Sequence, residues 1–281
     1  MRAVVLDGAG RPALADLPEP NGVGDLVRVR ACGLCGSDVE KLGRAAPGTV
    51  LGHEVVGELE DGRRVALVHH LPCGECERCL AGHESTCTRF AAATIEPGGF
   101  AERVRARQVV DVPQDLDDAT ATFAEPLACV LRGVERVPRG RVLVVGGGFV
   151  GRLFERVLRR RGDDVFVHDV RPDRDGPRAD RPVGAAVVCA PGGVDEAAEL
   201  VEPGGTILVF AAAGPLDLDA VYRRELTVIG SRSATPRHLR EALRVLPALE
   251  PLPAVVLPLE RFEEGLGLYR EREALKVVFT P

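Results

Sequence analysis

Apolar positions along the chain fall into short runs, and their spacing changes partway. To about residue 128 the runs are brief and set between glycine and proline turns, which predicts many short β-strands. The opening stretch, Met1-Arg2-Ala3-Val4-Val5-Leu6-Asp7-Gly8, reads as a strand entering a turn and lacks the long apolar run of a secretion signal. From residue 141 the rhythm alters. Val142, Leu143, Val144 and Val145 lead into Gly146-Gly147-Gly148-Phe149-Val150-Gly151. Leu153, Val157 and Leu158 follow at helical spacing, then Val165, Phe166 and Val167, ending at Asp169. That is strand, glycine turn, helix, strand, acid. Further strands are expected at 184–190, 206–210 and 226–230, with helices at 196–201 and 237–246. The alternation implies a parallel sheet with crossover helices, an α/β architecture. Residues 249–253 carry two prolines and read as a return linker before strands at 255–257 and 276–279. No internal repeat or low-complexity stretch interrupts the pattern.

The glycine turn carries the first chemistry. Gly146, Gly148 and Gly151 follow a β-run and open a helix, with Phe149 and Val150 between them. Such glycines let a pyrophosphate approach the helix N-terminus closely. Asp169, closing the next strand, can accept hydrogen bonds from ribose hydroxyls and would repel a 2′-phosphate. NAD is therefore favoured over NADP; the nearby Arg171 and Arg174 work against that preference and keep NADP open. Arg174 is counted with the cofactor-binding residues. Ligands of such sheets sit at the carboxyl ends of strands, so 189–192 and 210–214, including Ala190 and Ala211, are expected on the nicotinamide side.

Four of the eight cysteines are crowded together: Cys73, Cys76, Cys79 and Cys87, spaced C-x2-C-x2-C-x7-C. In a reducing compartment such clusters are metal sites rather than disulfides. Four thiolates make a closed structural zinc site, with an iron–sulfur cluster as the main rival. The surrounding charges are mixed and form no basic stripe, which argues against a nucleic-acid module. Upstream, Cys35 and Ser37-Asp38 precede His53-Glu54, and Glu125 stands just before Pro126. A thiolate, an imidazole and carboxylates with room for a further ligand are how a catalytic zinc differs from a structural one.

The motif set resembles the zinc-dependent medium-chain alcohol dehydrogenases over nearly the whole chain. It comprises G-L-C-G-S-D at 33–38, G-H-E at 52–54, the four-cysteine lobe, G-G-F-A-E at 98–102 and E-P-L-A at 125–128. E-P-L-A, together with P-G-G-T at 203–206 and R-E-L-T-V-I-G-S at 224–231, is similar to the polyol, sugar and threonine dehydrogenase branch. The resemblance implies that Cys35, His53 and Glu54 are catalytic-zinc ligands and that Glu125 is a ligand or a neighbour exchanging with water. It implies that Ser37 contacts the substrate hydroxyl and passes its proton on. Asp38 would orient the metal-bound histidine, and Glu54 is grouped with Ser37 and Asp38 as catalytic. Two zincs per chain are expected. The expected reaction is reversible hydride transfer between a polar alcohol (polyol, sugar or amino alcohol) and a nicotinamide.

The resemblance also implies a discontinuous GroES-like, mainly-β catalytic domain at 1–128 and 252–281, with its zinc lobe at about 72–90. The Rossmann domain would occupy 129–251, with the catalytic zinc in the cleft between the two. The apolar 226–230 strand, as a sheet edge, would pair subunits into a homodimer or homotetramer. Cys32, Cys129 and Cys189 are expected to be small buried apolar residues. His69 and His70, just before the four-cysteine lobe, read as loop histidines, with reach into the cleft as the alternative, and Glu40, Glu96 and Glu102 as surface or supporting acids, with binding of sugar hydroxyls as theirs.

One departure from the family stands out. Only 170–184 separates Asp169 from the next strand, a segment carrying Pro172, Pro177 and Pro182 and many charges. It is too short for the usual helix–strand–helix, yet at about 3.3 Å per extended residue it spans the sheet. The simplest deletion removes the third strand, an edge of the order 3-2-1-4-5-6, and predicts five strands ordered 2-1-4-5-6.

Composition narrows the alternatives. The 281 residues suit two domains. With 45% apolar and 28% charged residues, bulk disorder is excluded. A net charge of −6 argues against nucleic acid or an anionic membrane as general partners, and no apolar stretch approaches the roughly 20 residues of a membrane span. A cytoplasmic protein acting on a small alcohol or carbonyl is expected. The rivals are a non-catalytic NAD-binding protein that kept the fold and a zinc-free quinone-reductase-like enzyme.

Overall fold

A computed structural model describes residues 1–89, 94–212 and 214–281. Ala213, expected at the nicotinamide side, and residue 90 at the end of the cysteine lobe lie outside the described residues. The chain divides into two units, Met1–Ala128 with Ala234–Pro281, and Cys129–Ser233. The sequence reading carries 234–251 with the dinucleotide domain. Here these residues group with the first unit, where Leu239 of the helix Pro236–Val245 lines a cavity with Leu67 and Val68.

The first unit is built on a mixed sheet. Its strands run in the order Val255–Pro258, Val277–Thr280, Asp25–Gly33, Glu54–Leu59, Arg64–Leu67, Val109–Asp111. Arg103–Ala106 also pairs with Asp25–Gly33 and bonds in turn to Ile95–Glu96. The strands from the two ends of the chain meet where Phe279 pairs with Cys32 and Val278 with Gly33. Alternation in Asp25–Gly33 buries Val27, Val29 and Ala31. The rings of Phe100, Phe262 and Phe279 close the core, with centroids 4.6–5.6 Å apart. Each contributes on the order of 1.5–3 kcal/mol of burial. Gly265 lets the helix Phe262–Arg270 lie on this cluster, since a β-carbon there would fall 2.4 Å from the Phe279 ring.

The second unit holds five parallel strands in the order Asp164–His168, Arg141–Val145, Val183–Val188, Val201–Val209, Thr227–Gly230. This is the expected order with the third strand missing. The helix Phe149–Arg161 crosses between the first two strands. It buries Leu153, Phe154, Val157 and Leu158, and ends at Gly162 with φ +93° after three arginines that suit its negative end. The segment replacing the missing strand is tacked along the Asp164–His168 edge. Gly176 N–H donates to the Val167 carbonyl at 3.0 Å, and Arg141 reaches Asp180 at 2.5 Å while stacking over Phe166 at 4.6 Å. The strand expected from 206 starts at Val201, which pairs with Val183 across a register shift. The helix before it is therefore Val194–Leu200.

Candidate active site and metal centres

Cys35 leaves the strand Asp25–Gly33 and caps the short helix Gly36–Lys41. Asp38, on that helix, is 2% exposed and gathers the site. One carboxylate oxygen accepts from the Cys35 N–H at 3.1 Å; the other accepts from Gly52 N–H at 3.2 Å and lies 3.2 Å from His53 Nδ1. Burial works against its charge, but His53 and these N–H donors outweigh burial and lower its pKa. Gly52 adopts φ +97°, where a β-carbon would meet the Phe100 nitrogen at 2.8 Å and the Cys32 sulfur at 2.9 Å. Only glycine fits, and the turn it makes delivers His53 and Glu54 to the start of the next strand.

The donor atoms of Cys35, His53 and Glu54 all lie within 4.8 Å of one another. With Nδ1 of His53 turned to Asp38, Nε2 remains for a metal, the usual arrangement for a ligating imidazole. Ser37 Oγ lies 3.5 Å from the Cys35 sulfur, its hydroxyl donating. Glu125, in the first turn of the helix Ala124–Val134, is not within that compact set, although the resemblance counts it a ligand or neighbour. Burial pushes its carboxyl up to about 7, against the pull of His53. Glu125 lines a cavity of about 230 Å³ with His69, His70 and Thr235.

Two further residues stand near the centre, and of these Lys276 escapes the sequence reading. His69 does sit in a loop, but its ring lies 4.5 Å from that of His53 and 4.2 Å from that of His70. Burial, with both neighbours, drives its pKa to about 2, so it stays neutral. Lys276 is 3% exposed; its ammonium pairs with the Glu54 carboxylate and donates to the Leu34 carbonyl at 3.0 Å. Its only signal in the sequence is rarity, being one of two lysines.

The cysteine lobe satisfies a metal's geometry. Four thiolates around zinc at 2.3 Å stand about 3.8 Å apart. Here Cys73 and Cys79 sulfurs are 3.9 Å apart, Cys76 and Cys79 3.5 Å, Cys76 and Cys87 3.8 Å, and none forms a disulfide. Backbone N–H groups of Cys76, Cys73 and Arg89 point at the sulfurs of Cys73, Cys87 and Cys87 respectively. The N–H groups of Cys79 and Thr88 hold the Cys76 thiol down to about 5, whereas burial pushes Cys79 up to about 12. Crowded thiolates resist sharing one pocket; a divalent cation removes that conflict.

In the second unit, Gly146 has φ +102°, and a β-carbon there would lie 2.8 Å from the Ala190 side chain. One on Gly151 would fall 1.8 Å from the Gly146 carbonyl. Gly148, with no side chain of its own, caps the helix beginning at Phe149, and a β-carbon there would fill a cradle of the kind that takes phosphate. Asp169 accepts from Gly147 N–H at 2.7 Å and Arg171 N–H at 2.9 Å. The Arg174 carbonyl packs over Gly147 and accepts from Arg152 at 2.7 Å, while the Arg171 guanidinium pairs with Asp173. Ala190 and Ala211 follow the ends of the third and fourth strands of the sheet, both half-buried. Of the three remaining cysteines, Cys32 is buried as expected, whereas Cys129 and Cys189 are partly accessible.

Residues 24–114 match the family model described as "Alcohol dehydrogenase GroES-like domain". The chain is 32% identical to D-altritol 5-dehydrogenase of Agrobacterium fabrum, an alignment covering 88% of each protein. It is 26% identical to L-galactonate-5-dehydrogenase of Escherichia coli K12, covering 82% of each. Among solved structures, a candidate zinc-binding dehydrogenase from Sinorhizobium meliloti 1021 bound to NADP superposes with a TM-score of 0.85. That pair shares 26% identity, covering 100% of this chain and 99% of the other. Among the described residues, no helix is long and apolar enough to cross a membrane.

Proposed function

The chain belongs to the zinc-dependent medium-chain alcohol dehydrogenases, in the branch of the polyol, sugar and threonine dehydrogenases, and from that membership we propose that it is a NAD(H)-linked enzyme interconverting a polar secondary alcohol and its carbonyl. The observation that carries the proposal is the convergence of Cys35, His53 and Glu54 within 4.8 Å, with Asp38 orienting the imidazole. A second zinc is assigned to Cys73, Cys76, Cys79 and Cys87. When bound, the catalytic zinc supplies a Lewis acid that favours the ionised alcohol, and the nicotinamide supplies the hydride acceptor.

The chain's own residues do the rest. Asp38 keeps the proton on His53 Nδ1, so that Nε2 faces the metal. Ser37, beside Cys35, takes the proton of the substrate hydroxyl while its own hydroxyl proton leaves to solvent. Glu125 carries a carboxyl poised near neutrality at the cavity wall and takes hydroxyl groups of a polar substrate. Gly146, Gly148 and Gly151, with the helix N-terminus at Phe149 and Val150, hold the pyrophosphate, and Asp169 and Arg174 hold the adenosine ribose. Ala190 and Ala211 leave space for the nicotinamide side. Asp169 favours NAD, and the metal reading of the cysteines fits a reducing, cytoplasmic setting. The edge strand Thr227–Gly230 is the surface on which we expect a homodimer or homotetramer to form.

The test is a screen of NAD and NADP reduction against polyols, sugar acids and amino alcohols, with metal content measured on the same preparation. The expected result is two zincs per chain and turnover on a polyhydroxylated or amino alcohol. One zinc per chain with no turnover on any member of the panel rejects the proposal.

A further inference from the structure

His168 closes the strand Asp164–His168, one residue before Asp169, and both of its ring nitrogens face carboxylates. Nδ1 lies 3.3 Å from Asp175, on the segment that replaces the missing strand. Nε2 lies 2.8 Å from Glu196, in the first turn of the helix Val194–Leu200. A carboxylate oxygen only accepts, and a neutral imidazole carries a single N–H. The two contacts are satisfied together by a ring that donates from both nitrogens, with a carboxylate on each side to balance its charge.

The backbone around the ring shows what it holds. The His168 carbonyl accepts the Gly146 N–H at 2.7 Å. The Asp175 oxygen that faces Nδ1 also accepts the Asp169 N–H, at 3.1 Å. That N–H, followed by His168, the Gly176 N–H and Arg178, holds the Asp175 carboxyl below its ordinary range. Asp169 in turn accepts the Gly147 N–H, and the Arg174 carbonyl packs over the same glycine. The turn at 169–175 therefore lies on the glycine turn itself. Arg152 of the helix Phe149–Arg161 holds it through the Arg174 carbonyl, and His168 anchors it through Asp175 to a second helix. No third strand braces it, because Asp164–His168 is the edge of this five-stranded sheet.

We propose that His168 is a positioning residue for the cofactor: by bridging Asp175 and Glu196 it fixes the turn that seats Asp169 against Gly147, work that falls to a side chain because the third strand is missing. The inference rests on the dinucleotide reading of the glycine turn. His168 acts through Asp175 and Asp169 and not on the cofactor.

The experiment uses the full-length protein and reads cofactor binding as well as turnover. Fluorescence titrations of NADH and NADPH, steady-state kinetics and limited trypsin digestion are run on wild type, His168→Ala, Glu196→Ala and the double variant. Each single variant is expected to bind NADH about tenfold more weakly, the scale of one charge-assisted hydrogen bond. KM for NAD should rise by the same factor while kcat does not fall, and trypsin should cut faster after the exposed Arg178. The double variant should match the single ones, because either change breaks the same bridge. Should His168→Ala fail to fold, Glu196→Ala carries the same expectation from a side chain that is 35% exposed. Wild-type NADH affinity in either single variant overturns the proposal, since a bridge needs both partners. Losses that multiply in the double variant overturn it as well. Wild type that binds neither NADH nor NADPH overturns the dinucleotide reading, and the proposal falls with it.

Discussion

A single carboxylate oxygen of Asp38 lies 3.2 Å from His53 Nδ1 and accepts the Gly52 N–H at 3.2 Å, while its other oxygen accepts the Cys35 N–H. One side chain thereby fixes the orientation of two candidate ligands carried by different elements. Asp38→Asn preserves the shape and removes the charge. The expected outcome is metal loss at Cys35 and His53 faster by about ten- to a hundredfold. Loss from the cysteine lobe should not change. Timed chelator competition checks this, and equal loss from both sites would reduce Asp38 to a packing residue.

Among the described residues, the cysteine lobe has little apolar packing to hold it without a bound metal. Its helix Glu77–Leu80 is a single turn, Leu80 is 75% exposed, and the N–H groups of Cys73 and Cys76 reach the Cys87 and Cys73 sulfurs only at 3.3–3.4 Å. Cys76→Ser should release one metal per chain and expose the remaining thiols to a titrating reagent. A loss of about 2 kcal/mol would lower Tm by roughly 4–8 °C. Calorimetry with and without added zinc reads the change; a Tm insensitive to both would show that the lobe contributes no stability.

Gly147 and Gly148 separate folding from binding. A β-carbon on Gly147 would fall 2.3 Å from the Arg174 carbonyl, so the strap replacing the third strand must shift. Gly147→Ala is expected to lose about 1–3 kcal/mol in urea denaturation followed by circular dichroism. Gly148 has φ −71° and only the tip of Arg174, at 4.0 Å, near its missing side chain. Gly148→Ala should therefore keep its stability and lose affinity for NADH, read by cofactor fluorescence. If the two substitutions act alike, the turn is not a phosphate cradle.

What the sequence makes legible follows from how tightly each chemistry dictates residue types. Four thiolates at x2, x2 and x7 spacing, or a glycine turn between a strand and a helix, leave few alternative side chains. The same holds for the lost strand: three prolines within 170–184 forbid a buried strand, and the five observed strands follow the order that loss requires. Lys276 is different, because it meets Leu34 across 242 positions and looks locally like any residue entering a strand. His69 is marked only by its place just before the cysteine lobe; its contact with His53 comes from how the loop turns. The grouping of residues from 234 onward with the first unit leaves no mark in the sequence, because the amphipathic pattern of the helix Pro236–Val245 suits either unit.

Asp169 serves two masters, and a substitution can separate them. Its carboxylate accepts the Gly147 N–H at 2.7 Å, which shapes the turn, and under the proposed function its charge would repel a 2′-phosphate. Asp169→Ala removes both and would confound them. Asp169→Asn keeps an oxygen that can accept from Gly147 N–H while removing the charge, so the turn should survive. With Arg171 and Arg174 beside it, the neutral site should bind NADPH more tightly and NADH more weakly than wild type. The exchange of a charge-assisted for a neutral hydrogen bond to ribose is worth on the order of 1 kcal/mol, about fivefold in affinity. Parallel titrations of NADH and NADPH fluorescence measure both shifts. Unchanged affinity for both cofactors would mean that Asp169 only braces the turn and that another residue reads the ribose.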